Sequence, residues 1–223
     1  MGAKKPSDLG VRLRDYSHYT EIKQLAYTIA ALQQEKKFNS LAVLSFYHGE
    51  GKTLLCAALA LAYAETSRSR VLIVDTTLLA GAQSLSLSEC LPNSENNVKC
   101  ISLAEQRRDF AAPLAPLPGP PGSDNPLAVS AADSLGGSEF AIITNATKVD
   151  AEQYGLVLLD TMPLTVKNKN NFDPRLVARL ANASILVVSQ QLLDAGRLDE
   201  HLKMLQDPSL NLIGMISNEE FTQ

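Results

Sequence analysis

The stretch Ser45-Phe46-Tyr47-His48-Gly49-Glu50-Gly51-Lys52-Thr53 constrains this chain more than any other. An apolar run, Leu41-Ala42-Val43-Leu44, leads into it, and an Ala/Leu-rich helical pattern from Leu54 to Ala64 leads out. Strand, glycine-containing turn and a helix opening on Gly-Lys-Thr is the context a phosphate-binding P-loop requires. Gly49 and Gly51 have no Cβ, so the backbone there can take φ > 0 and turn its N–H groups toward phosphate oxygens. The helix that follows aims its N-terminus, and its partial positive charge, at the same anion. Lys52 adds a full charge for the β- and γ-phosphates, and the Thr53 hydroxyl is placed to ligate Mg²⁺. The usual spacing, G-x-x-x-x-G-K-[ST], is met except at its first position, where Phe46 stands.

Composition narrows the remaining classes. A chain of 223 residues with 45% hydrophobic and 20% charged residues is long enough for one large α/β domain with a sizeable core. The formal net charge of -4 gives no electrostatic footprint for nucleic acid, so none is expected as a partner. The three cysteines, Cys56, Cys90 and Cys100, match neither a zinc nor a disulfide framework, which fits a reducing, cytoplasmic setting. Cys56 falls inside the P-loop helix pattern and reads as a small buried residue. No apolar run is long enough to span a bilayer. Met1-Gly2 begins like an acylation signal, but Pro6 stands where Ser or Thr is wanted. Recruitment to the inner face of a membrane would therefore fall to a partner.

Along the chain, residues 1–16 read as a loose polar arm. From Tyr19 to about Lys36, Ile22, Leu25, Ala26, Ile29 and Leu32 follow helical spacing, with Thr20 as N-cap. This helix packs outside the sheet, with an oligomer contact as its functional alternative. Leu41–Phe46 is the first strand, residues 52–65 the P-loop helix, and Val71–Asp75 a second strand. Strand, helix and strand at this spacing form a right-handed unit whose strands are parallel and, being continuously apolar, covered on both faces. Asp75 therefore lies at the carboxyl edge of the sheet beside the P-loop, where open α/β sheets bind ligands. Residues 80–139 read as a loop-rich insertion, with a short strand at Val98–Leu103 and a Pro-rich segment at 113–126. Proline excludes helix and central strand there, leaving a semi-rigid loop or a partner-docking segment. Phe140–Thr144 suggests an edge strand. Tyr154–Asp160 is a buried strand ending in a second carboxylate, a Walker B candidate. Asp173-Pro174 reads as a helix start, Ser184–Ser189 as a strand, Asp194–Leu205 as a helix, and Leu210–Ile216 as the last strand before Asn218. The whole is expected to be a single P-loop NTPase domain over 1–223, a mostly parallel sheet with helices on both faces.

Three blocks, Ser45-x-x-x-Gly-Glu-Gly-Lys-Thr, Val-Leu-Ile-Val-Asp75 and Leu-Val-Leu-Leu-Asp160-Thr-x-Pro, resemble the deviant Walker P-loop ATPases. These include the MinD/ParA proteins and the bacterial tyrosine kinases (BY-kinases) of capsule and exopolysaccharide biosynthesis. The chain resembles the second branch more. Tyr47 stands where MinD/ParA proteins carry a signature lysine, and a helix containing Glu21 precedes the first strand. The resemblance implies bound ATP or ADP with Mg²⁺. It assigns nucleotide contacts to Gly49, Glu50, Gly51, Lys52, Thr53 and Leu54, and to Asn218 at the adenine. It assigns catalysis to Lys52, Asp75 and Asp160, and metal ligation to Thr53, Asp75 and Asp160. As partners it implies a membrane-embedded polysaccharide copolymerase or another export component, and a homo-oligomer.

The departures from that pattern keep other readings open. The family's second Walker A′ carboxylate is Thr77 here, and no Arg follows. The family's Glu-x-x-Arg-x-x-Arg assembly motif reads Glu21-x-x-Gln24-x-x-Tyr27, and no tyrosine cluster closes the chain. The expected function is ATP/Mg²⁺ binding in polysaccharide synthesis or export, with hydrolysis or phosphoryl transfer. The alternatives are a non-catalytic nucleotide-binding scaffold for a copolymerase and a MinD/ParA-type positioning ATPase.

Overall fold

The computed structural model describes residues 13–77, 91, 97–103, 143–144, 153–166, 172–190, 192, 201 and 203–219. The Pro-rich segment 113–126 and most of the expected 80–139 insertion lie outside them, as do Cys90 and most of the expected Asp194–Leu205 helix.

Helix α1 spans Thr20–Lys36. Its Ala26 and Ile29 are buried, and Ile22, Leu25 and Leu32 pack against the same core. Tyr19, not Thr20, holds the N-cap position, and no side chain caps the helix there. Residues 13–17 are helical, and Leu13 is only 2% exposed, so the loose arm expected over 1–16 does not extend to its last residues. An apolar anchor at Leu13 and the Ser17 hydroxyl donating to the Arg14 carbonyl at 2.7 Å tie this segment down.

Strand β1 (Ser40–Ser45) feeds helix α2 (Lys52–Ser67), which returns to strand β2 (Val71–Asp75). α2 runs to Ser67, past its expected end, and the Thr66 and Ser67 hydroxyls donate back to the Ala62 and Tyr63 carbonyls. Arg68 then stops it in the left-handed region, at φ 54. Strand β3 is Val98–Ser102, β4 is Leu156–Asp160 and β5 is Ala183–Ser189. Helix α3 (Pro174–Leu180) joins β4 to β5, and the Asp173 carboxylate caps it by accepting from the Arg175 N–H. Strand β6 is Leu212–Asn218, later than the expected Leu210–Ile216. A 3-10 turn at Pro208–Leu210 takes up the first of those residues and buries Leu210. Ile143 and Thr144 are helical rather than part of an edge strand.

The strands form a six-stranded sheet in the order β3-β2-β4-β1-β5-β6, and every pair is parallel. Alternate residues of each central strand divide between two cores. Leu41, Val43, Ile73 and Leu158 face α1 and α2. Ala42, Leu44, Val74 and Leu159 face α3. Both faces are thus covered, as continuous apolar strands require. The β1-to-β2 crossover passes over β4 in one direction, and the β4-to-β5 crossover passes over β1 in the other. With one handedness of crossover, the connecting helices must fall on opposite faces. Their diverging starts open a crevice at the carboxyl ends of β1 and β4.

Gly155, at the entry to β4, is a close-approach position. A Cβ built there would lie 2.5 Å from the Ser69 Cβ, and its N–H donates to the Arg70 carbonyl at 2.8 Å. Gly155→Ala is expected to lower unfolding free energy in urea by roughly 1–3 kcal/mol. Adding Ser69→Gly should recover most of that loss; a single variant as stable as wild type would refute the contact.

Candidate phosphate-binding site

The parallel register gathers the functional groups. Asp160 pairs with Val43 on one side and with Asp75 on the other, so both carboxylates stand at one edge of the sheet, beside the end of β1. The loop from Phe46 to Gly51 rises from that edge. Gly49 has φ 83 and Gly51 φ 81, the left-handed conformations their lack of Cβ predicts. Gly51 is the N-cap of α2 and offers no side chain, so the first N–H groups of the helix face the crevice.

A cleft of about 520 Å³ lies over this loop, lined among others by Tyr47, Gly49, Lys52, Thr53, Thr77 and Met162. Lys52 is buried, and its ammonium sits 2.6 Å from the Asp160 carboxylate and also donates to the Thr161 carbonyl. Thr53 is exposed to the cleft. Leu54, half-buried, borders both this cleft and a neighbouring groove of about 610 Å³ between α1 and β6. Asn218 also lines that groove, and its Nδ2 donates to the Glu50 carbonyl at 2.9 Å.

Asp75 is held partly out of water. Burial first, and the Asp160 carboxylate second, push its carboxyl above the usual aspartate range. The Thr77 N–H, 2.9 Å from Asp75 Oδ1, works against that rise, as does Lys52. Neither Asp75 nor Asp160 lines the cleft itself; their neighbours Thr77 and Thr161 do. A carboxylate raised by desolvation and a like charge beside a phosphate-binding loop is the electrostatic pattern of a cation or proton site. Cys56 is fully buried, and its thiol is pushed up first by that burial, which makes it an inert core residue as expected.

The Glu50 side chain faces inward, away from the cleft. Its carboxylate is buried and bonded to the N–H groups of Phe46 and Tyr47 at 2.7 and 2.9 Å. Only its backbone remains for a ligand. Phe46, which takes the place of the first motif glycine, is fully buried in the α3-side core and packs edge-on to His201 at 4.8 Å. Tyr47 Oη is 2.6 Å from His201 Nε2. His201 escaped the sequence reading because nothing local marks a histidine so distant in the chain as a neighbour of the loop. Leu164 and Thr165 were missed for the same reason; their N–H groups donate to the Ser45 and Phe46 carbonyls.

The site and sheet define a P-loop domain. No protein-family model and no curated protein sequence matches the chain. Solved structures do. The kinase domain of Escherichia coli tyrosine kinase ETK superposes with a TM-score of 0.59 at 20% identity, covering 91% of this chain and 75% of that one. The VpsO kinase domain gives a TM-score of 0.59 at 18% identity, covering 95% and 98%. The BceF tyrosine kinase domain gives 0.59 at 18% identity, covering 89% and 76%. The chain has the fold of the bacterial tyrosine kinase domains, as the sequence resemblance implied.

The raised Asp75 carboxyl sets a pH dependence. Below the unfolded-state value of about 4 both states hold the proton and Asp75 costs nothing. As pH rises through the raised folded value, the native state must give up a proton the unfolded state has already lost, and stability falls. Asp75→Asn should therefore gain stability relative to wild type as pH rises from about 4 to 7. Urea midpoints across that range check this; a gap that does not change with pH contradicts it.

Proposed function

We propose that this protein binds ATP and Mg²⁺ in the cleft over the Gly49–Gly51 loop and acts on the terminal phosphate. The observation that carries this reading is the convergence of a left-handed two-glycine turn, a buried Lys52 ammonium and two carboxylates at one sheet edge. Lys52 and the loop N–H groups stabilise charge on the β- and γ-phosphates. Among the described residues no group of three or more His, Cys, Asp or Glu is arranged to hold a metal ion. That suits Mg²⁺, which is commonly bound by one or two carboxylates together with substrate phosphates. Thr53, Asp75 and Asp160 are the residues that would hold it, and there it neutralises phosphate charge. Asp75 would also serve as base, and Asp160 orients Lys52. Asn218, with Nδ2 engaged by Glu50, offers its Oδ1 as an acceptor suited to the amino group of adenine.

The setting we infer is capsular or exopolysaccharide synthesis or export at the cytoplasmic face of a membrane, with a membrane-embedded copolymerase as partner. This rests on the fold it shares with bacterial tyrosine kinase domains. No helix among the described residues is long and apolar enough to cross a membrane. One observation favours a second reading, a non-catalytic nucleotide-bound scaffold. Thr77, neutral where the related kinases carry a carboxylate, lines the cleft directly. Glu21, Gln24 and Tyr27 share the exposed face of α1, so the assembly face lacks its cations as well.

Calorimetric titration with ATP and with ADP, in millimolar Mg²⁺, tests binding. Wild type should bind both, and Lys52→Ala, checked for a retained thermal transition, should lose about tenfold or more in affinity. Phosphate release separates the two readings: Lys52-dependent turnover rules out the scaffold, and tight binding without turnover in the partner's presence rules out the enzyme. GTP binding as tight as ATP would remove Asn218 from base recognition.

A further inference from the structure

Glu50 is the one carboxylate inside the loop, and it is 4% exposed. A buried negative charge is electrostatically costly in a turn that holds an anion. Its bonding explains what it does there. Oε2 accepts from the Phe46 N–H at 2.7 Å and the Tyr47 N–H at 2.9 Å. Oε1 accepts from the Ser189 N–H at 3.3 Å, at the end of β5, with the Ser189 hydroxyl at 3.5 Å. The carbonyl of the same residue accepts from Asn218 at the end of β6. A single residue, lying between two glycines at φ 83 and 81, thus ties the loop to its own first half and to two neighbouring strands.

We propose that Glu50 is a positioning residue: its carboxylate is an internal anion that holds the phosphate-binding loop in its cradle shape before any nucleotide arrives. Two left-handed glycines give the free loop many alternative conformations, and ordering it on binding would cost affinity. Charge-assisted bonds from two consecutive N–H groups to one carboxylate oxygen remove that freedom in advance. They also satisfy N–H groups that would otherwise be left without acceptors beside the buried Phe46 ring. The aromatic in place of the first motif glycine is then no defect. It anchors one end of the loop in the core, and Glu50 folds the rest back onto it.

The inference rests on the nucleotide reading above, and it reverses the sign that charge alone would give. By Coulomb's law, removing a negative charge near the phosphates should tighten their binding. If Glu50 positions the loop, removing it should loosen binding. Glu50→Gln keeps the shape but sets an NH₂ group against N–H donors; Glu50→Asp keeps the charge but is one methylene too short to reach both anchor points. Both variants and wild type are titrated with ADP–Mg²⁺ and with adenosine, and amide exchange at Phe46 and Tyr47 is followed in nucleotide-free protein. The expected result is ADP binding weakened about tenfold or more in both variants, adenosine binding weakened much less, and faster exchange at those two amides. Unchanged or tighter ADP binding by Glu50→Gln overturns the proposal, as does wild-type affinity in Glu50→Asp. So does an equal loss for ADP and adenosine, which marks a general structural defect. Wild type that binds no ADP contradicts the nucleotide reading instead; unchanged exchange at Phe46 and Tyr47 contradicts the brace whatever the nucleotide result.

Discussion

The contact between the Lys52 ammonium and the Asp160 carboxylate, 2.6 Å apart and nearly inaccessible to solvent, is the interaction around which the rest of the site is built. As a stabilising device it is a poor choice, because desolvating two charges offsets much of their attraction, and well-packed apolar side chains often do as well. Its value lies in placement. Asp160 is fixed by its pairing between β1 and β2, and the Thr161 hydroxyl is bonded to the Val43 carbonyl at 2.7 Å. The lysine, in the first turn of α2, is thereby held over the crevice rather than free in solvent. Asp75 stands across the register from Asp160, so a second carboxylate shares the same low-dielectric edge. Two acidic groups facing one ammonium form a charge arrangement that an incoming cation and polyanion can complete.

The sheet makes that arrangement possible because it separates the work of the two faces. One core packs α1 and α2 against alternate residues of each strand, and the other packs α3 against the intervening ones. The α3-side core reaches the carboxyl edge at Phe46 and Leu164, and the polar ends Ser45, Asp75 and Asp160 stand beside that apolar floor. Glu50, Ser189 and Asn218 join the loop to the far half of the sheet. Phe46, Leu164 and Thr165 join it to the near half. The loop is thus braced from both sides while its upper surface stays open.

The strands and the loop could be read from the chain because their signals are local. Leu41–Leu44, Val71–Val74 and Leu156–Leu159 are unbroken apolar runs, and each borders a polar terminal residue that the parallel register carries to the site. Gly49 and Gly51 announce left-handed backbone directly. The parts that escaped are those decided by distant partners. His201 meets Tyr47 and Phe46 only through the folded chain. Glu50 reads as a ligand contact in a linear motif, and only burial reveals that it faces inward. The start of β6 was misplaced because Leu210 is as apolar as the strand behind it, while the turn that claims it depends on the Asp207 and Pro208 carbonyls. The helical segment over 13–17 carries too few apolar positions to show a period, and Leu13 is held by the α1–α2 core rather than by its own sequence.

The central claim is that the backbone N–H groups of the Gly49–Gly51 turn and the start of α2 bind the terminal phosphates of a nucleotide. Titrating ¹⁵N-labelled protein with ADP and Mg²⁺ and following the Gly49, Gly51, Lys52 and Thr53 amide resonances tests this most directly. The account predicts that these four signals move together and furthest, with saturation, while those of β3 and the outer face of α1 stay in place. Saturable shifts confined to another surface, or no shifts at millimolar ADP, would contradict it.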